Sequence, residues 1–282
     1  MKYQVLEFQK IPYIKVDNEN GLQVVFTPVG ASIKSIIFNN EEMLLTPTND
    51  KDFFKEGMLL GKSTGPFIVD SALIGGKEYQ YNNDYRIQNF LFRSNPNLNK
   101  KYFSVVYRFE KKKKKDGLPN KTNYFISFSI GEASSELLVD YRAMVDSVAP
   151  VSISNNLVFN LSSKHLNELY LTVPTNQSLE NKSFIENLSL KKKRNFDNAD
   201  SNGIYKLNGP QIILENSKYS LEITTTDYEC VEIKADNEIP NMEFENLNGG
   251  IKVSPIDNIS KSQQIDKKTI YHRQISYKFL KK

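Results

Sequence analysis

Apolar and polar residues alternate along most of this chain. The alternation is clearest in residues 3–16, 22–26, 102–110, 221–227 and 229–234. A period of two places successive side chains on opposite faces of an extended strand. The apolar residues do not recur at the three- and four-residue spacing that is typical of a helix. The pattern therefore predicts a chain built from β-strands, with residues 3–16 as the entry strand.

Short polar and glycine-containing segments separate these predicted strands. Gly75 and Gly76 lie between alternating residues and form a two-residue signal for a β-hairpin. Residues 18–21 and 39–40 have the composition of turns, and residues 50–57 are compatible with one turn of helix. Most neighbouring strands are therefore expected to be joined by short turns.

The most informative stretch is residues 137–161, which read LLVDYRAMVDSVAPVSISNNLVFNL. β-branched and aromatic residues dominate it, and we interpret it as two strands joined by a short turn. Its second half places amide and hydroxyl side chains between apolar ones. Sugars are bound through hydrogen bonds to their hydroxyls and contacts with their C–H faces, so this strand has the polar face that a sugar cleft needs.

This stretch resembles the central strands of the aldose 1-epimerases, also called galactose mutarotases. The residues that match the family's motif without a gap are Tyr141, Ala143, Asp146, Pro150, Val151, Asn155, Phe159, Asn160 and Leu161. Weaker similarity extends from residue 22 to residue 279. The resemblance implies an all-β fold, a large antiparallel β-sandwich of the galactose mutarotase-like type with a sugar cleft across one sheet. We expect one such domain over residues 1–282.

At the positions of the family's acid and base, the chain carries neutral residues. The family's histidine in the central motif corresponds to Asn156. The family's general base, a glutamate in a later strand, corresponds to Ser254, because Gly250, Ile251 and Pro255 fit the residues around that glutamate. The resemblance therefore implies that both proton-transferring groups have been replaced.

The remaining family positions are also altered. The first catalytic histidine corresponds to Asn89 or Phe90, and a sugar-binding arginine corresponds to Pro66 or Asp70. A sugar-binding aspartate corresponds to Asn202. The degenerate catalytic positions are then Asn89, Asn156 and Ser254, and the candidate sugar-binding residues are Asp70, Asn89, Asn156, Asn202 and Ser254.

Interconversion of sugar anomers requires removal of the proton on the C1 hydroxyl and protonation of the ring oxygen. Asn and Ser form hydrogen bonds with hydroxyls but do not exchange protons near neutral pH. Three interpretations follow. The chain is a carbohydrate-binding relative of the epimerases with weak or lost activity; or it is an active epimerase with a relocated acid and base, for which Asp70, His165, Glu243 and Glu245 are candidates; or it is a non-catalytic interaction or regulatory protein.

Composition narrows the remaining function classes. The 282 residues carry a formal net charge of only +4, and six of the 37 basic residues are arginines, which argues against nucleic acid as a partner. The run of residues 111–115, all lysines, is interpreted as a solvated hairpin tip. The sequence near Gly61, Lys62 and Ser63 lacks the residue order of a phosphate-binding loop.

One cysteine, Cys230, excludes an internal disulfide and a cysteine metal cluster, and the two histidines are His165 and His272. We interpret Cys230 as a packed thiol and His272 as structural. No signal peptide or membrane span is evident, so we expect a cytoplasmic protein without metal or cofactor and without a membrane partner. A small-molecule hexose is the expected partner, and the sequence leaves the oligomeric state open.

Overall fold

A computed structural model of the chain describes residues 1–55, 58–66, 71–175, 194–195, 203–236, 249–257 and 264–282. The strands of the first half are β1 Lys2–Phe8, β2 Ile11–Asp17, β3 Leu22–Thr27, β4 Ser32–Phe38, β5 Glu41–Glu42, β6 Ser63–Thr64, β7 Ser71–Ile74, β8 Lys77–Gln80, β9 Arg93–Leu98, β10 Tyr102–Lys111, β11 Thr122–Gly131 and β12 Glu136–Val145. One short helix, α1 (Asp50–Phe53), and two 3₁₀ turns, Asn83–Tyr85 and Ile87–Asn89, interrupt them.

The strands of the second half are β13 Ala149–Pro150, β14 Ser154–Asn155, β15 Val158–Phe159, β16 Tyr170–Thr172, β17 Arg194–Asn195, β18 Gly203–Lys206, β19 Gln211–Glu215, β20 Tyr219–Thr226, β21 Cys230–Asp236, β22 Gly250–Ile256, β23 Gln264–Ile265 and β24 Tyr271–Lys281. A third 3₁₀ turn spans Leu166–Glu168. None of the described helices is long and apolar enough to cross a membrane.

The described strands form three larger sheets, and every pair within them is antiparallel. A nine-stranded sheet has the order β17-β16-β19-β20-β24-β12-β11-β10-β9, a five-stranded sheet runs from β1 to β5, and a four-stranded sheet has the order β15-β22-β21-β18. The pairs β13-β23, β14-β6 and β7-β8 are separate. The all-β antiparallel architecture predicted from the sequence is confirmed.

The core lies between the nine-stranded sheet and the two other large sheets. In β11, buried and partly exposed residues alternate along the whole strand, as expected for a sheet with one face in the core. Phe26 of β3 stacks on Phe128 of β11 with ring centroids 4.9 Å apart. Phe159 of β15 contacts Tyr277 of β24 at 5.4 Å. These contacts join the sheets into the β-sandwich that the sequence predicted.

Two local predictions were wrong. Residues 3–16 form two paired strands, β1 and β2, rather than one, because Gln9 and Lys10 adopt positive φ angles of 49° and 67° and turn the chain. Residues 137–161 do not form a simple strand pair. After β12, the chain leaves the nine-stranded sheet, and β13, β14 and β15 each pair with a different partner. Pro150, which has no N–H to donate, lies at this departure.

The lysine-rich tip of the β10–β11 hairpin matches its prediction only in part. Residues 112–115 are exposed, as predicted. Lys111 is instead buried, and its ammonium donates to both carboxylate oxygens of buried Asp116 at 3.0 Å and to Asn120 at 3.3 Å. A buried lysine is tolerated here because its charge is paired and hydrogen-bonded.

Candidate functional site

The site predicted from the sequence is centred on the short strands β14 and β15. The antiparallel register of β14 with β6 pairs Ser154 with Thr64 and Asn155 with Ser63. The next residue, Asn156, continues this register opposite Lys62. Its backbone N–H donates to the carbonyl of Lys62 at 2.9 Å, and its own carbonyl accepts from the N–H of Gly61 at 2.8 Å. Asn156 is therefore held beside Lys62.

The segment that holds Asn156 runs beside β22. The register of β15 with β22 pairs Val158 with Lys252 and Phe159 with Ile251. Two side-chain hydrogen bonds join β14 to β22: Ser254 Oγ donates to the carbonyl of Asn155 at 2.5 Å, and Ser154 Oγ donates to that of Pro255 at 2.6 Å. Ser254 therefore contacts the residue that precedes Asn156.

One further strand completes the arrangement, because the register of β21 with β22 pairs Glu232 with Ser254. Residues that pair directly across a sheet point to the same face, so Glu232 and Ser254 share a face. Backbone hydrogen bonds place Asn156 beside Lys62, and Ser254 contacts Asn155. We call these four residues, Lys62, Asn156, Ser254 and Glu232, the polar row.

The opposite face of the same strand is anchored in the core. Asn155 Nδ2 donates to the hydroxyl of Tyr277 at 2.5 Å and to that of Tyr141 at 3.3 Å. Burial raises the pKa of Tyr141 to about 12 and that of Tyr277 well above its usual value, so both phenols stay protonated. Since successive side chains in a strand alternate, this anchor directs Asn156 toward the polar row.

A buried ion pair holds the far end of β22. Arg273 donates to Asp257 at 2.7 and 2.8 Å, and the hydroxyl of Tyr271 donates to the same carboxylate at 2.7 Å. The same hydroxyl accepts from the N–H of Ile153 at 3.0 Å, and Tyr228 donates to the carbonyl of Ile153 at 2.6 Å. This network ties the residues before β14 to the end of β22 and so fixes the two strands that carry Asn156 and Ser254.

The two ends of the polar row carry charges. Glu232 pairs with Lys252 at 2.7 Å, and both side chains are partly exposed. Lys62 is only 5% exposed, and its ammonium has no hydrogen-bond or ion-pair partner among the described residues. Burial lowers its pKa below that of an ordinary lysine. The charged lysine is therefore the one unneutralised group of the row.

The chemistry of the centre of the row is hydrogen bonding. The amide of Asn156 offers a donor and an acceptor. Ser254 is 1% exposed and directs its proton to the carbonyl of Asn155, so its oxygen is left to accept. Neither side chain transfers a proton near neutral pH. The centre can orient hydroxyls, whereas titratable groups are found only at its two ends.

The other predicted site residues are not brought into the row. Asn89 is exposed, and its Nδ2 donates to the carbonyl of Asp84 at 3.0 Å. Phe90 stacks on Phe109 with centroids 4.6 Å apart. Asp70 and Asn202 lie outside the described residues.

The spare acid and base candidates gain no support from their placement. His165 is exposed at the start of the third 3₁₀ turn. Glu243 and Glu245 lie outside the described residues. Within the part of the chain that the structure describes, no group of three or more histidine, cysteine, aspartate and glutamate side chains has the arrangement of a metal site.

His272 lies on the outer face of the nine-stranded sheet, away from the polar row. Its Nε2 is 2.7 Å from Asp140, which also accepts from Arg142 at 2.7 Å and Gln274 at 2.8 Å. Burial raises the pKa of Asp140, but the hydrogen bonds from Gln274, Arg142 and His272 outweigh it and lower the pKa overall. The structural interpretation of this histidine agrees with its place in a surface hydrogen-bond cluster.

Sequence reasoning missed Lys62 and Glu232 as members of the site. Lys62 was considered only as part of a phosphate-binding loop, and Glu232 only as part of an alternating strand. The available signal was the alternation of side chains between the two faces of β21 and β22. Once the two strands are paired, this alternation places Glu232 and Ser254 on the same face. The pairing of β6 with β14 had no comparable local signal.

Comparison with known proteins gives the fold an independent assignment. The model of the aldose 1-epimerase family matches residues 12–243. No curated protein matches the sequence. A galactose 1-epimerase from Lactobacillus acidophilus has a similar structure, with a TM-score of 0.85 at 16% identity over 99% of each chain.

Two further solved structures agree. An aldose epimerase homologue from C. elegans has a TM-score of 0.81 at 16% identity, covering 96% of this chain and 99% of its own. A galactose mutarotase-like protein from Clostridium acetobutylicum has a TM-score of 0.76 at 12% identity, covering 100% and 99%. At these identities the similarity establishes the shared fold.

Proposed function

Because the chain belongs to the aldose 1-epimerase family, we propose that it binds a hexose at the polar row and that its epimerase activity is weak or lost. The observation that carries this proposal is the proximity of Asn156 and Ser254 at the centre of the row, since Ser254 Oγ donates to the carbonyl of Asn155, the residue before Asn156. They stand at the positions where the resemblance places the family's acid and base. The cleft is thereby proposed to keep its hydrogen-bonding role without its proton-transfer role.

The binding part of the proposal rests on the hydrogen-bonding capacity of the row. Asn156 donates and accepts, Ser254 accepts, and Glu232 accepts while it remains paired with Lys252. Sugar hydroxyls both donate and accept, so each of these groups has a complementary partner in a pyranose.

The catalytic part rests on the missing acid and base. A positioned acid–base pair typically contributes about 10²–10⁴-fold to a rate. Amide and hydroxyl side chains supply none of this near neutral pH, and the hydroxyl proton of Ser254 is already donated to a backbone carbonyl. In this proposal the protein therefore keeps its sugar binding, whereas its epimerase activity is weak or lost.

A second candidate is an active epimerase that uses the ends of the row. Lys62, with its lowered pKa, would protonate the ring oxygen, and Glu232 would take the proton of the C1 hydroxyl. Their long side chains face each other across the two neutral residues. This arrangement is a relocated acid–base pair of the kind that the sequence left open.

The proposal also includes the domain organisation, the location and the partners of the protein. We propose one domain over residues 1–282, acting in the cytoplasm on a small-molecule sugar and independent of metal, cofactor, nucleic acid and membrane. Asp70, Asn89 and Asn202 remain candidate sugar-binding residues beside Asn156 and Ser254.

Polarimetry and calorimetry together test the proposal. Freshly dissolved α-D-galactose and α-D-glucose are followed by optical rotation with and without the protein, and the same sugars are titrated calorimetrically. Binding without faster rotation is the expected result. Faster rotation would favour the second candidate, in which case Lys62→Met and Glu232→Gln should each abolish it. No binding of either sugar would contradict the sugar-binding function.

A further inference from the structure

Lys62 is an unusual residue for a strand that lines a neutral site. The residue is only 5% exposed, and its ammonium has no ion-pair or hydrogen-bond partner in the described part of the chain. Lysine is almost never fully buried unless it is paired. Buried Lys111 shows the usual solution in the same molecule, since it is paired with Asp116 at 3.0 Å.

The position of Lys62 is fixed by the backbone on both sides. Its N–H donates to the carbonyl of Leu59 at 3.1 Å, and its carbonyl accepts from Asn156 at 2.9 Å. The first part of the side chain is packed tightly, because a Cβ added at Gly30 would lie 3.2 Å from Lys62 Cβ. The lysine is therefore held next to Asn156, at one end of the polar row.

The charges of the row do not cancel. Glu232 and Lys252 neutralise each other at the opposite end, and Asn156 and Ser254 are neutral. The row therefore carries one positive charge, on a residue that is only 5% exposed. A buried charge is stabilised by a partner of opposite sign that also forms hydrogen bonds with it. A neutral hexose offers hydroxyls but no counter-charge.

We propose that the ligand of the polar row is an anionic sugar, a hexuronate, whose carboxylate pairs with Lys62. The inference rests on the proposed sugar-binding function and names its substrate class. The pyranose ring lies over Asn156 and Ser254, and the carboxylate at C6 reaches the lysine end of the row. A single ammonium matches the single charge of a carboxylate, whereas phosphate groups are usually held by arginine forks or several donors.

The test compares charged and neutral sugars on the same protein. D-galacturonate, D-glucuronate, D-galactose and D-glucose are titrated calorimetrically at neutral pH into the wild-type chain and two variants. Lys62→Met removes the charge and keeps most of the side-chain length. Lys15→Met is the matched control, because Lys15 is a partly exposed strand lysine in the five-stranded sheet.

The wild-type protein is expected to bind each uronate about 10- to 100-fold more tightly than the corresponding hexose, the range for a charge-assisted hydrogen bond. Lys62→Met should bring this ratio close to one, and Lys15→Met should preserve it. A wild-type ratio near one, or a ratio that survives in Lys62→Met, overturns the inference and leaves hexose binding intact. If none of the four sugars binds, the proposed function fails together with the inference.

A second measurement does not depend on any variant. Lysine carries its charge below its pKa, and burial lowers the pKa of Lys62 below the ordinary value. The uronate preference of the wild-type protein should therefore be present at neutral pH and decline as the pH rises toward about 10, near the ordinary lysine pKa. Uronate carboxylates stay ionised throughout this range. A preference that is constant over it would contradict the pairing with Lys62.

Discussion

The double substitution Asn156→His with Ser254→Glu should restore proton transfer to the polar row. Ser254 contacts the carbonyl of Asn155, the residue before Asn156, so a histidine at 156 and a glutamate at 254 would lie close to each other. A general acid–base pair of this kind contributes about 10²–10⁴-fold, or roughly 3–5 kcal/mol of barrier.

The structure sets the cost of this change. Removing the hydroxyl of Ser254 loses its hydrogen bond to the carbonyl of Asn155, about 1 kcal/mol. The new carboxylate lies directly across from Glu232, and like charges in that position destabilise a sheet by up to about 1 kcal/mol. Ser254 is also only 1% exposed, so burial of the larger, charged glutamate adds several kcal/mol. Circular dichroism therefore checks that the variant is folded before its rate is measured. We expect a rate gain near the lower limit, about 10²-fold.

Optical rotation of fresh α-D-galactose and α-D-glucose measures the gain. The matched control is Asn156→Gln with Ser254→Thr, which alters the same two positions without adding a titratable group. The His/Glu variant should also show a bell-shaped pH dependence of its rate, as expected for one acid and one base. If that variant folds and binds sugar but rotates it no faster than the control, loss of the acid and base does not explain weak activity.

Three further predictions concern stability and reactivity. Asp257→Ala should cost about 3–5 kcal/mol in urea unfolding, because the buried guanidinium of Arg273 would lose its carboxylate counter-charge. Burial raises the pKa of the Cys230 thiol to about 11, so Ellman's reagent at mildly alkaline pH should label it only after unfolding. Gly61→Ala should cost more than the 1–2 kcal/mol of a left-handed residue, since its φ is +72° and the added Cβ would lie 2.0 Å from a backbone oxygen. Gly75→Ala, with φ +58° and open space around it, is the control for that clash and should stay within this range in thermal unfolding.

The alternation of apolar and polar residues predicted the strands well where one face of the strand packs against the core. β10 and β20 follow the alternating segments closely, and the hairpin at Gly75 and Gly76 forms as its turn residues indicate. The prediction failed where the turn had no such residues. Gln9 and Lys10 rarely adopt positive φ, so nothing in their identity signals the turn between β1 and β2.

The candidate site was predictable only where it follows the family motif. Asn156 and Ser254 came from that resemblance, and the structure places Ser254 in contact with Asn155, the residue before Asn156. Lys62 and Glu232 depend on the pairing of strands far apart in sequence, β6 with β14 and β21 with β22. Strand register of this kind is set by the whole core rather than by any short segment. The amino-acid composition likewise does not indicate which lysine is buried without a partner.

The geometry of β14 allows the side chain at 156 to vary without loss of the fold. Asn155 faces the core and holds the strand through Tyr141 and Tyr277, all of them buried. Asn156 faces the opposite side and contributes to the strand through its backbone hydrogen bonds, which any residue except proline would form. Substitution at 156 therefore alters the polar row while the anchor at 155 keeps the strand in place. A change of side chain at 156 needs no compensating change in the core.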